Sequence, residues 1–209
     1  MSPSMETKKH FRAWQRMLTG RRLDLLNPSP SDIDIRDIAY GLSRVSRWNG
    51  QTIGAHPLSV AQHSIIVDEI FSVIKPASSR QERLMALLHD SPEYVIGDLI
   101  SPFKAALGLD YKTIEIRLLR AIHVRFELPE DLPEEVGKKI KIADTIAAFY
   151  EATCLAGFEV TEANQIFELP VSIPQKIDFH LKSLEAYPTA LAYKKFMERF
   201  SELTGENLL

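Results

Sequence analysis

Residues 79–98 read SRQERLMALLHDSPEYVIGD. Ser79 followed three positions later by Glu82 is a capping box, in which the serine oxygen takes a backbone N–H of the first turn while the glutamate reaches back to the cap. Leu84, Leu87 and Leu88 then recur at spacings of three and four, so a helix with an apolar face starts here. That helix runs into His89-Asp90 and must distort or stop near Pro92, whose ring has no N–H to donate and clashes with the preceding turn. An imidazole and a carboxylate thus sit at the inner end of an apolar helix.

The same periodicity extends in both directions along the chain. Upstream, Asp34 can cap a helix whose stripe is Ile35, Ile38, Leu42 and Val45. After the loop WNGQTIGAH, Pro57 suits the first turn of a second helix that carries His63 and continues through Val60, Val67, Ile70 and Ile74. Downstream, Ser101-Pro102 starts a short helix, and Asp110 caps a longer one through Ile114, Leu118 and Ile122 that ends before Pro129 and Pro133. Pro133-Glu134-Glu135 opens another, with Val136, Ile140, Ala143, Ala147 and Tyr150 on one face and Asp144 in its middle. Two C-terminal helices, Gln175 to Ala186 and Thr189 to Leu203, flank Pro188. Upstream of all these lie a short amphipathic segment (Phe11, Trp14, Met17, Leu18) and the turn-rich connector LNPSPSD. Period-two alternation is confined to IDI near Ile33. The expected fold is an all-α, single-domain helical bundle.

Composition narrows the function. A chain of 209 residues fits one domain of ordinary size. With 25 Lys plus Arg against 28 Asp plus Glu, the net charge of −3 supplies no global field to draw the protein onto a nucleic-acid polymer or an anionic membrane. The single cysteine, Cys154, makes no internal disulfide, which fits a reducing compartment. The longest apolar runs, Leu84 to Leu88 and Ile146 to Tyr150, have five residues, far short of the roughly 20 that span a bilayer. The N-terminal MSPSMETKKHFRAW has no apolar signal core. These features point to a soluble, cytoplasmic protein.

Four side chains of metal-ligand type interrupt apolar helical stretches: His63, His89, Asp90 and Asp144. A lone ionised carboxylate in such a stretch needs a partner, and one divalent cation would serve all four. On a continuous helix, adjacent His89 and Asp90 stand about 100° apart, so one ion between them is within reach of both. Two imidazoles and two carboxylates suit Mn²⁺, Fe²⁺, Co²⁺, Ni²⁺ or Zn²⁺, and match calcium poorly. Four protein ligands leave positions on a six-coordinate metal for water and a substrate oxygen. Each residue also has a simpler reading: a core histidine with a hydrogen bond, a chance HD dipeptide, or a buried Asp144 paired with Lys141.

In order, His63 within AQHS, His89-Asp90 within LLHDSPE and Asp144 within KIADTIA strongly resemble the HD-domain metal-dependent phosphohydrolases. The segment LLHDSPEYVIGDLISPFK looks like the branch containing the bacterial 5′-deoxynucleotidases, which also shows an Arg-Trp pair before its first histidine, as Arg47-Trp48 stand here. The resemblance covers Ile38 to Glu151. It implies one HD-type domain over residues 1–209, with a motif core at about 38–151 and an N-terminal extension, 1–37, and C-terminal helices, 175–204, packed on it.

Carried over residue by residue, the resemblance assigns His63, His89, Asp90 and Asp144 as ligands of a single divalent transition metal; no HD-GYP sequence and no second pair of histidines accompanies them. It gives Glu93 a catalytic proton-transfer role. Asp98 matches a sugar-contacting position, and Ser101 one lining the same pocket, although Ser101 also fits as a helix cap. Arg47 offers a planar fork to phosphate oxygens, and Trp48 can orient the nucleotide or crowd the sugar 2′ position; the simpler alternative is a surface arginine beside a core tryptophan. Lys104 is a second phosphate contact or a solvated lysine. His56 reads first as a loop histidine, and His10, His123 and His180 as structural or exposed.

The implied activity is removal of phosphate from (deoxy)ribonucleoside 5′-monophosphates by attack of a metal-activated water, by an enzyme that is often a homodimer among its relatives. The loop WNGQTIGAHP departs from the family pattern, which leaves open a deoxynucleoside triphosphate triphosphohydrolase, or a catalytically silent nucleotide-binding module. Exchange of Asp144 for Ala is expected to abolish metal uptake and turnover while circular dichroism keeps its helical signal. Full activity of that variant after chelation would contradict the ligand set.

Overall fold

Where apolar residues recur every three or four positions, the chain is helical. The computed structural model describes residues 13–99, 109–167 and 175–207. Its helices are α1 (Ile35–Leu42), α2 (Val60–Ile74), α3 (Arg80–Leu87), α4 (Glu93–Ile96), α5 (Leu109–Arg125), α6 (Glu134–Cys154), α7 (Val160–Phe167), α8 (Gln175–Leu181) and α9 (Thr189–Thr204). Two short helical turns, Pro30–Asp32 and Arg47–Gly50, precede α1 and α2 respectively. The all-α reading holds, with one addition: β1 (Trp14–Arg16) pairs antiparallel with β2 (Arg22–Asp24).

Helix α2 organises the rest. It packs against α3, α6 and α9, and Val60, Ala61, Val67 and Phe71 on it have no solvent exposure. A helix apolar on nearly all sides can only be a core helix. Its polar residues are therefore compensated. Asp68, fully buried, accepts from Arg83 Nε and Nη2, both at 2.9 Å, and from Arg199 Nε at 2.5 Å, tying α2 to α3 and α9. Gln62 donates to Glu185 O at 2.7 Å and accepts from Tyr187 N at 2.8 Å, anchoring the segment before α9.

The helix ends follow the expected chemistry at two places. Asp34 accepts from Arg36 N at 2.9 Å at the start of α1, and Ser79 and Glu82 form the reciprocal capping box of α3. Elsewhere the structure corrects the reading. Helix α2 begins at Val60, capped by Ser59, rather than at Pro57. Leu58 O accepts from Arg47 N at 2.8 Å and Ser46 bridges to Ser59, so residues 57–59 stay extended. Asp110 lies inside α5 instead of capping it. The first C-terminal helix stops at Leu181, and α7 occupies a stretch to which the sequence reading assigns no element; of its residues only Ala163 is buried. The β-hairpin replaces the amphipathic segment around Trp14 and Met17, with Arg22 stacked over the Trp14 ring at 4.4 Å. Phe11, His10 and the helix expected at Ser101-Pro102 lie outside the described residues.

Helices α1 and α4 touch almost backbone to backbone. A Cβ added at Gly41 would stand 2.7 Å from both Cβ and the carbonyl oxygen of Tyr94. Alanine's helix preference alone would add about 1 kcal/mol of stability. The collision is expected to dominate, so Gly41→Ala should lower the unfolding free energy by about 1–3 kcal/mol. Urea denaturation at an unchanged m-value reads the difference, and a more stable variant would contradict this packing.

Candidate metal centre

Three separated elements converge beside the N-terminal end of α2. His63 sits in the first turn of α2, where its N–H bonds Ser59 O at 3.1 Å. His89 and Asp90 occupy the turn between α3 and α4 and not a continuous helix, because Pro92 ends the regular ladder: Ser91 N bonds Leu88 O at 3.0 Å, and Glu93 N bonds Asp90 O at 3.0 Å as α4 begins. Asp144 projects from the middle of α6. Three of the four expected ligands thus reach one place, the adjacent pair through a turn, and Asp144 stands beside them against His63.

His63, His89 and Asp90 each offer a ligand atom, all within 4.8 Å of one another. Asp90 Oδ2 lies 3.4 Å from His63 Nε2 and 3.2 Å from His89 Nε2; Asp144 Oδ1 is 3.4 Å from His63 Nε2. Ligands bound at about 2.1 Å to one ion, 90° to 109° apart, are about 3.0 to 3.4 Å from each other. The imidazoles are also oriented as ligands. Nδ1 of His89 is 2.9 Å from Ala86 O, and Nδ1 of His63 is 2.5 Å from Glu151 Oε1. Each Nε2 is buried and makes no hydrogen bond among the described residues. A second partner on Nδ1 with Nε2 directed inward is the usual arrangement of a metal-bound histidine. The three residues form a His-His-Asp cluster that fits one divalent cation.

Charge agrees with geometry. Asp90, Asp144 and Glu151 face one buried-side guanidinium, Arg47, which is 2.8 Å from Glu151 and 3.7 Å from Asp90. Acids outnumber this one guanidinium, with Asp98 adding to the three, so the site carries an excess of negative charge. Burial by itself would raise the Glu151 carboxyl, yet Arg47 and His63 outweigh it and hold the group at about 2. Burial also presses Asp90 and Asp144 upward, but the imidazoles hold both below the carboxylate range. Burial and Arg47 push His63 toward neutrality, while Glu151, Asp144 and Asp90 win and raise it well above the ordinary imidazole value. The position between these groups attracts positive charge. Asp90 and Asp144, 21% and 22% exposed, give it access to solvent, whereas the side chains of His63 and Glu151 have none.

The other expected residues fall into three groups. Arg47 and Trp48 lie at the site, but not primarily facing solvent: Arg47 Nε and Trp48 Nε1 both donate to Glu151 Oε2, at 2.8 and 3.0 Å. Trp48 and Asn49 hold the left-handed backbone conformation, with φ of 56° and 51°, which asparagine tolerates but which is strained for a residue as bulky as tryptophan. The Trp48 ring packs on Phe158 and Phe167. Glu93 is the first residue of α4 and 1% exposed, and Asp98, just beyond α4, is near enough to help hold the charge on Arg47. Lys141 does pair with Asp144, at 2.8 Å on Oδ2, while Oδ1 faces His63. His56 is exposed in its loop and His180 is exposed on α8, whereas His123 is buried with Nδ1 2.8 Å from Pro129 O. Ser101 and Lys104 lie outside the described residues.

Glu151 is the residue of this arrangement that the sequence reading missed. Its signal was present: an acid in the apolar run IAAFYEATCLA, seven residues after Asp144 and so on the same helix face two turns away. From α6 the two acids bracket the His63 imidazole, one at each nitrogen.

Comparison with known proteins gives few relatives. No protein-family model matches the chain. An uncharacterized protein of Rhodobacter capsulatus is 55% identical over 159 residues, spanning 76% of this chain and 81% of the relative. Among solved structures, the HD phosphohydrolase DatZ of cyanophage S-2L, bound to dA and one catalytic Zn²⁺ ion, is similar at a TM-score of 0.47 and 20% identity, over 81% of this chain and 96% of the other.

Removing Arg47 would leave the Glu151 carboxylate buried without its cation. Arg47→Met is therefore expected to cost about 3–5 kcal/mol in stability, measured by denaturant unfolding. A loss below about 1 kcal/mol, the size typical of a surface ion pair, would contradict the burial of this pair.

Proposed function

We propose that the chain, which belongs to the same family as its uncharacterized Rhodobacter capsulatus relative, is a metal-dependent phosphohydrolase acting on (deoxy)ribonucleoside 5′-monophosphates. One observation carries the reading: two buried Nε2 atoms without hydrogen bonds lie within ligand spacing of Asp90, each on an imidazole anchored at Nδ1. An unpartnered buried ring nitrogen is not enough, since His123 Nε2 is also buried without a hydrogen bond among the described residues; His63 and His89 differ in that both Nε2 atoms face one carboxylate oxygen, Asp90 Oδ2, at 3.4 and 3.2 Å. His63, His89, Asp90 and Asp144 would hold the ion, and a mixed nitrogen and oxygen set suits Mn²⁺, Fe²⁺, Co²⁺, Ni²⁺ or Zn²⁺.

When bound, a divalent ion there supplies Lewis acidity toward a phosphate oxygen and toward water. The chain's own residues do the rest. Arg47 is committed through Nε to Glu151, and its terminal N–H groups, one of them 3.7 Å from Asp90, offer a fixed cation to the phosphate as charge builds on its oxygens. Glu93, buried at the head of α4 next to the His89-Asp90 turn, takes or returns a proton. Asp98 receives the sugar hydroxyls. Trp48, held by its N–H and by Phe158 and Phe167, presents a fixed edge against which the nucleoside is oriented.

Metal analysis of the purified protein combined with a nucleotide panel graded by phosphate chain length tests this reading. The expected result is one divalent transition metal per chain and inorganic phosphate from monophosphates, abolished by chelation. Tripolyphosphate released from triphosphates would replace the monophosphatase reading by a triphosphohydrolase. Failure of every divalent ion to support hydrolysis of any nucleotide would leave a nucleotide-binding module.

A further inference from the structure

We propose that Glu151 is a positioning residue that selects the imidazole tautomer of His63, and that Arg47 and Trp48 determine which of its two oxygens does so. The inference rests on the metal-centre reading above and adds a role for a residue that is not itself a ligand.

The geometry assigns each oxygen one task. Oε2 is occupied by two N–H donors, Arg47 Nε at 2.8 Å and Trp48 Nε1 at 3.0 Å, and Oε1 faces His63 Nδ1 at 2.5 Å. An ionised carboxylate only accepts, so the proton of this hydrogen bond sits on Nδ1. The lone pair of a neutral His63 is then on Nε2, the atom 3.4 Å from both Asp90 and Asp144. With the whole side chain of Glu151 buried, no water takes over this task. The ion pair with Arg47 keeps the carboxylate from rotating, because any turn would forfeit two donors.

Glutamine at this position has nearly the same volume but the opposite consequence. Its carbonyl oxygen must meet the two donors, since an NH₂ group there would face two N–H groups. Its NH₂ then points at His63 Nδ1, which must accept and so places the ring proton on Nε2, where the cation would bind. Alanine removes more contacts but dictates no tautomer, leaving the ring able to offer Nε2. The order of metal affinity is therefore wild type, then Glu151→Ala, then Glu151→Gln, whereas a residue that merely fills space would give Gln above Ala.

The test titrates the metal-stripped full-length proteins with Zn²⁺ against a chelator and with Co²⁺ followed by its visible spectrum, with thermal unfolding recorded for each. Loss of a partner behind a metal-bound histidine weakens affinity by about 10- to 100-fold; Glu151→Gln is expected at or beyond the upper end and Glu151→Ala near the lower. Gln binding within about twofold of wild type, or Gln binding more tightly than Ala, overturns the inference. If the alanine variant does not fold, imidazole ¹H–¹⁵N spectra of the zinc-supplemented proteins decide: the His63 proton is expected on Nδ1 in wild type and on Nε2 in Glu151→Gln, and Nδ1 in both would overturn it. Wild-type protein that takes up no cation overturns the metal-centre reading itself, which the other outcomes leave standing.

Discussion

A carboxylate shut away from solvent must find its compensation inside the protein, and Glu151 finds it in three N–H groups, from Arg47, Trp48 and His63. This one group joins the last turn of the chain's longest described helix, the first turn of its central helix and the strained turn Arg47–Gly50. Each partner gains a fixed orientation. The imidazole is held edge-on to Asp90 and Asp144, the guanidinium is kept at the rim of the site, and the indole is seated in a backbone conformation that it would not choose by itself.

The fold supplies the rigidity this arrangement needs. Helix α2 is buried on nearly all sides and pinned by Asp68 to α3 and α9, so His63 is carried on an element that cannot shift alone. Helix α6 spans Glu134–Cys154 and presents Asp144 and Glu151 two turns apart, to opposite nitrogens of one ring. The remaining pair, His89-Asp90, sits where a helix is broken. A continuous helix would separate the two side chains by about 100°; the turn before Pro92 brings both Nε2 of His89 and Oδ2 of Asp90 onto one point, 3.2 Å apart. Ligand groups held within a few tenths of an ångström by packed helices are what a metal site demands of its scaffold.

How much of this could be read in advance depended on the kind of signal. Helices with apolar stripes and side-chain caps were legible, as α1 with Asp34 and α3 with its Ser79–Glu82 box show. The four ligand candidates were legible because polar groups inside apolar stripes need a reason to be there. The hairpin was not, since three residues per strand are too few for alternation to register, and α7 was not, since only Ala163 of it is buried. Pro57 satisfied the rule for a helix start, yet the tertiary pairing of Ser46 with Ser59 delayed the helix to Val60. Arg47 and Trp48 were recognised as site residues on resemblance. Their joint attachment to Glu151 was invisible because it links positions about a hundred residues apart, and no local pattern encodes such a pairing.

The account stands on one cation lying between His63, His89 and Asp90, with Asp144 alongside. Anomalous diffraction from crystals grown with Mn²⁺, Co²⁺ or Zn²⁺, collected at the absorption edge of the added metal, tests it most directly. The predicted result is a single strong peak about 2.0–2.2 Å from both Nε2 atoms and from the Asp90 carboxylate. A peak confined to surface carboxylates, with the two Nε2 atoms instead hydrogen-bonded to solvent or to each other's neighbours, would contradict it.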